Sequence, residues 1–201
     1  MSARLSLVLL PRVLLSIQCV VLSVYSCLAF AEEVDEWRIV RGESTIRFVA
    51  TQAGAEFEGG FDEFEAQIRF DPLDLEHSSA RVEIGVASIN TQSPDRDEVL
   101  RSAEWFHPAR WPQAMFRTTE IHEAVDGALD EYEALAQLTI RGVTKDVVFT
   151  FALVGNARLD GRLTIKRLEF GLGEGEWADT AWIGDEVSVL VRVVRDLDTG
   201  D

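Results

Sequence analysis

The stretch LTIRGVTKDVVFTF, residues 138–151, constrains the fold most. Apolar side chains fall at every second position: Leu138 and Ile140 before a short break, Val147, Phe149 and Phe151 after it. A helix would bring apolar groups back every three or four residues, whereas successive side chains of a strand point to opposite faces. Period two therefore predicts antiparallel strands with one dry and one wet face. The break, Arg141 to Lys145, reads as a hairpin turn marked by Gly142 and Lys145.

The same period recurs from Trp37 onward. Ile46, Phe48 and Ala50 alternate with polar neighbours, as do Phe57, Gly59 and Phe61, then Phe64, Ala66, Ile68 and Phe70. Val82, Ile84 and Val86 follow, then the run from Tyr132 to Ile140, Leu163 with Ile165, and Val187 to Val193. Turn chemistry separates the runs at Gly42, Gly59-Gly60, Asp71-Pro72, Asp126-Gly127, Gly142, Gly155-Asn156 and Gly171 to Gly175. One segment breaks the pattern. SPDRDEVLRSAEWF, residues 93–106, reads as a helix with Ser93 as N-cap, Pro94 at its first position and Asp95 and Asp97 in its first turn. The plan is about four strands, a short helix, then four or more strands. It calls for a closed barrel or a sandwich. From the pattern alone, the dry face either fills a core or surrounds a cavity.

The N-terminus stands apart. Residues 1–31 carry Arg4 and Arg12, no acid, an apolar run and a small-residue ending at Ala29 and Ala31. That layout predicts a cleaved secretory signal peptide, with the folded domain spanning 32–201. An uncleaved anchor is the other reading, but Pro11 and Arg12 leave an apolar run short of the ~20 residues of a spanning helix. Tyr25 fits poorly before Cys27 for a lipoprotein. Both cysteines, Cys19 and Cys27, fall in the leader, so no disulfide or thiolate chemistry is expected of the mature chain. The 19 basic residues less Arg4 and Arg12 leave 17 against 35 acids, a net charge of −18. A surface so acidic excludes nucleic acid as a partner and disfavours anionic membranes.

Motifs for catalysis are missing. His77, His107 and His122 share no metal-ligand spacing, no Gly-x-Ser-x-Gly elbow occurs, and no Gly-x-Gly-x-x-Gly links a strand to a helix. The expectation is a chain with no catalytic residue, no metal and no cofactor, and no enzymatic activity.

The ordered pieces STIRFVAT, FEAQIRFDP, RDEVLRSAEWF, WPQAMF, LTIRGVTKDVVF, EFGLG and GDEVSVLV carry more. In this order, over roughly Trp37 to Val194, the chain resembles the YceI-like family of polyisoprenoid-binding periplasmic proteins. The resemblance implies an all-β fold, a lipocalin-like antiparallel barrel of about eight strands with a short helix between the middle strands. It implies a hydrophobic lumen for an isoprenoid, quinone-like or fatty-acyl chain, a periplasmic location and a homodimer, as relatives often form. It turns the filled-core reading toward a cavity lined by Phe48, Phe57, Phe61, Phe64, Ile84, Trp105, Phe106, Trp111, Phe116, Leu138, Ile140, Phe149 and Phe151. Arg96 and Arg167 are the candidate head-group contacts, set against capping and structural roles. Trp177 and Trp182 form either a lid or edge packing. Leu168-Glu169 and the loop GLGEGEWADTAW depart from the family's pattern, which leaves the head group open. The alternatives are a lipid-modifying enzyme on the same barrel and a filled-core partner of a membrane redox protein.

Overall fold

The computed structural model describes residues 34–125 and 130–197. The leader with its two cysteines and the Asp126-Gly127 turn lie outside the described residues. The described residues form ten strands and one α-helix. The strands are β1 (Thr45–Gln52), β2 (Ala55–Phe61), β3 (Phe64–Arg69), β4 (Ser79–Gly85), β5 (Ile89–Asn90), β6 (Gln113–Glu123), β7 (Glu131–Ile140), β8 (Val143–Val154), β9 (Arg158–Lys166) and β10 (Glu186–Val194). Helix α1 spans Pro94–Leu100, between β5 and β6.

Residues 138–151 belong to the hairpin β7–β8. On β7 the alternation is complete, with Tyr132, Ala134, Ala136, Leu138 and Ile140 buried between more exposed neighbours. The turn is tighter than expected. Ile140 pairs with Val143, so Arg141 and Gly142 form it alone, with φ of +51° and +76°. Two positive φ angles match the right-handed twist of the flanking strands. Lys145 belongs to the ladder, opposite Leu138.

Every neighbouring pair is antiparallel, in the order β3-β4-β6-β7-β8-β9-β10-β1-β2-β5. The two ends of this order meet through bent strands. β2 runs into β3 across Asp62-Glu63, and β4 reaches β5 through a 3₁₀ turn, Val86–Ser88. The Asp62 N–H donates to the Ser88 carbonyl at 3.2 Å, and the Gly85 N–H to the Glu63 carbonyl at 3.0 Å. Counting each bent pair as one stave leaves eight around a lipocalin-like barrel, enough for a lumen that takes one small ligand.

Two bends change the phase of the alternation. The inward set passes from Phe57, Gly59 and Phe61 to Phe64, Ala66 and Ile68 at the β2–β3 corner, because one extra residue sits there. A β-bulge at Thr119 does the same in β6, so Ala114, Phe116 and Thr118 give way to Ile121. Such bulges turn a strand without ending it.

The helix is shorter than its sequence signal. It stops at Leu100, and residues 101–112 continue as turns. Ser93 occupies the N-cap with extended backbone, but its hydroxyl makes no capping bond. Asp97 is buried instead, and its carboxylate accepts from the Thr91 N–H at 2.8 Å and the Thr91 hydroxyl at 2.7 Å. That pair ties α1 to the end of β5.

Candidate functional site

Inward side chains of β10 decide between a filled core and a cavity. Val187, Val189 and Val191 face inward, yet each is only half-buried. Phe116, Val82 and Ile84 behave alike. They border empty space. The lumen measures about 470 Å³, inside the range usual for ligand sites. Its wall is overwhelmingly apolar, and its one carboxylate is Asp95.

The two ends of the lumen differ. One is closed by a floor of packed rings. The Phe70 ring meets Trp37, Tyr132 and Phe151 edge-on at centroid distances of 6.3, 5.0 and 5.3 Å. Tyr132 and Phe151 stack at 5.4 Å, and the Trp37 indole N–H donates to the Phe70 carbonyl at 3.1 Å. Burial raises the pKa of the Tyr132 phenol.

At the other end, the mouth, Gln52, Ser93, Asp95 and Arg96 join the wall and Asp95 reaches solvent, while Ser79 and Thr118 are polar groups of the wall farther down. The Arg96 guanidinium lies over the Phe57 ring, 4.1 Å from its centroid. That cation–π contact keeps the charge at the rim.

Two other arginines build the mouth: Arg167, which borders the lumen, and Arg141. Arg167 is 1% exposed and gives all five of its N–H donors to backbone carbonyls. Nε donates to Gly184, Nη1 to Leu172 and Gly173, and Nη2 to Trp177 and Ile183, at 2.8–3.0 Å. Burial pulls its pKa below the ordinary guanidinium value, and Asp185 opposes the shift. With every donor committed, Arg167 is a strut for residues 172–184 and has nothing left for a head group. Arg141, at the β7–β8 tip, donates to the carbonyls of Ala103 and Trp105 and so pins the segment after α1.

Eleven of the thirteen aromatic and aliphatic residues expected at the lumen line it: Phe48, Phe57, Phe61, Ile84, Trp105, Phe106, Phe116, Leu138, Ile140, Phe149 and Phe151. Phe64 does not. It follows the β2–β3 corner and lines a separate groove with Trp37 and Ile39 at the open side of β3. Trp111 does not either. Its ring is held outside between the guanidinium groups of Arg110 and Arg141, at 4.5 and 4.8 Å, and backs the Gly142 turn. Trp177 and Trp182 part company. Trp177 lines the lumen and meets Trp105 at 6.2 Å, whereas Trp182 is 54% exposed at the β1–β2 turn, where its carbonyl accepts from the Ala53 N–H.

Sequence reasoning passed over Val99, Leu163, Leu172 and the β10 valines as lining residues. The valine alternation was visible, and nothing local distinguished a wall from a core. No group of three or more His, Cys, Asp or Glu side chains comes together among the described residues. Nor is any helix among them long and apolar enough to cross a membrane.

A bent antiparallel barrel with an apolar blind lumen defines a lipocalin-like protein. The YceI-like domain model matches residues 37–195, and the chain belongs to that family. It is 35% identical over 97 residues to Protein YceI of Escherichia coli O157:H7, covering 48% of this chain and 49% of that protein. The chain spans about half the length of several of the curated relatives it matches. Among solved structures, it resembles Burkholderia cenocepacia BcnA at 33% identity with a TM-score of 0.71, covering 79% of this chain and 99% of BcnA. A polyisoprenoid binding domain from Saccharophagus degradans, implicated in plant cell wall breakdown, shares the fold at 16% identity and a TM-score of 0.58, over 80% of this chain and 98% of that domain.

Proposed function

We propose that this chain is a non-enzymatic carrier that holds one long-chain amphiphile, isoprenoid, quinone-like or fatty-acyl, with its tail toward the aromatic floor. The observation that carries this reading is the blind apolar lumen of about 470 Å³. Each methylene moved from water into such a wall contributes ~0.8 kcal/mol, so a tail needs few polar contacts to outweigh the cost of ordering it. The polar end of the ligand stays at the mouth, where Arg96 is the cation of the rim with donors to offer. The wall has one carboxylate and no imidazole or thiol, which favours holding over acid–base chemistry. Export to the periplasm, with cleavage after Ala31, fits the leader's layout and a mature chain without cysteine.

Mass spectrometry of lipid extracted from natively purified protein tests the reading, together with uptake of added prenyl alcohols. Co-purified long-chain lipid and saturable uptake are expected. Absence of both would sink the proposal.

A further inference from the structure

Two glycines on the lumen face, Gly59 of β2 and Gly161 of β9, have no backbone reason to be glycine. Neither has a positive φ, and both sit in regular ladders, opposite Phe48 and opposite Phe151 and Val191. A glycine within a strand weakens it, through lost packing and backbone entropy. The reason lies in the neighbouring rings. A Cβ on Gly59 would come within 2.8 Å of Phe48 Cε1 and of Thr91 Cγ2, and closer still to Phe48 Cζ. A Cβ on Gly161 would come within 2.8 and 2.9 Å of the two Cε atoms of Phe149, and again closer to Cζ. The Cζ end of each ring sits in the notch that the missing side chain leaves in the next strand. Both rings line the lumen. A ring refused its notch is backed by the wall and has one free direction, inward.

We infer that the pairs Phe48–Gly59 and Phe149–Gly161 set the bore of the lumen at two depths, and so determine which chain lengths it accepts. This rests on the lipid-carrier reading above. The upper pair lies toward the mouth, because Phe48 meets Phe57, the ring beneath Arg96, at 6.2 Å. The lower pair lies toward the floor, because Phe149 stacks on Phe151 at 5.7 Å. The two depths have different consequences. Every tail passes the upper pair, whereas the end of a long tail alone reaches the lower one. Narrowing at Gly161 therefore acts as a length limit, and narrowing at Gly59 weakens all tails together.

The test is the affinity of purified mature protein for geraniol, farnesol and geranylgeraniol, which differ by one isoprene unit each. In the wild type, affinity rises along the series. Gly161→Ala is expected to leave geraniol unchanged and to weaken geranylgeraniol about tenfold, the equivalent of one or two methylenes displaced from the wall. Gly59→Ala is expected to weaken all three by similar factors. The double variant Gly161→Ala with Phe149→Leu removes the displaced ring and restores the length preference; it also carries the test if the single variant does not fold. A Gly161→Ala protein with the wild-type preference overturns the inference, as does a double variant that discriminates against geranylgeraniol. A wild type that binds none of the three alcohols overturns the carrier reading itself, and this inference with it.

Discussion

The floor and the mouth of the lumen are built on different physics. The floor is area and shape: Trp37, Phe70, Tyr132 and Phe151 meet ring to ring, with little polar surface to satisfy. The mouth is made of irregular backbone, the turns of residues 101–112 and the loop that follows β9, whose carbonyls need donors. Arg167 and Arg141 supply seven such bonds between them. The difference teaches where change is tolerated. An apolar floor accepts another apolar group of similar shape, while a carbonyl cage accepts only a planar group with five donors.

The largest expected effect follows from that asymmetry. Arg167→Met leaves five carbonyls without their donor in a buried site and is expected to cost about 3–5 kcal/mol of unfolding free energy. Arg167→Lys rescues little, because an ammonium has three donors and no fork. Chemical denaturation measures both, and a lysine variant as stable as wild type would show that the mouth does not depend on the fork. Phe70→Ala at the floor comes next, at about 3–4 kcal/mol from lost burial and the cavity left behind, whereas Phe70→Leu should cost under about 1.5 kcal/mol. Hydrogen exchange separates the two ends: the floor variant should loosen exchange throughout the sheet, and an Arg167 variant first in residues 171–185.

Arg141→Ala is smaller, at about 1–2 kcal/mol for its lost carbonyl bonds. It should also speed ligand release by freeing the segment that carries Trp105; unchanged release would place the gate elsewhere. Arg96→Ala should lower the melting temperature by only about 1–4 °C, since its contact is a rim stack worth about 0.5–1 kcal/mol. Its effect should appear instead as weaker binding of ligands with an anionic head, with neutral alcohols unaffected. The smallest effect belongs to neither end. Asp74 raises the pKa of His77 through a side-chain hydrogen bond, and its own pKa falls for the same reason. Sign follows from linkage. The His77 contribution is full below the unfolded histidine value and is lost as pH rises through the higher folded value; the Asp74 contribution is lost as pH falls through its lowered one. Replacing His77 with Gln should remove the slight stability loss between the unfolded and the raised folded histidine values, measured by chemical denaturation across pH, with NMR titration of the wild-type imidazole checking the raised value.

Much of the wall was legible because period two is a local property. Leu138, Ile140, Phe149 and Phe151 announced their face, and the structure directs that face into the lumen. The misreadings come from places where the period alone does not place a side chain. Phe64 keeps the alternation of β3, but β3 ends the strand order, and beside Trp37 and Ile39 its ring lines the groove at that open edge instead of the lumen. Trp111 looked like part of an aromatic cluster, and two guanidinium groups hold it outside. Arg167 read more as a structural residue than as a head-group contact, but what it holds was out of sight, since the carbonyls that consume its donors lie up to 17 residues away in the chain.

The sequence by itself determined the antiparallel strands, the helix that interrupts them and the acidic surface, because each depends on side-chain period, turn residues or charge that neighbours in the chain already display. Tertiary structure alone decided that the dry face surrounds space. A wall and a core share the same alternation, and what separates them is whether the strands across the barrel come close enough to fill the middle. Here the bends at Asp62-Glu63, at Val86–Ser88 and at Thr119, with Phe48 and Phe149 drawn into the notches of Gly59 and Gly161, keep them apart.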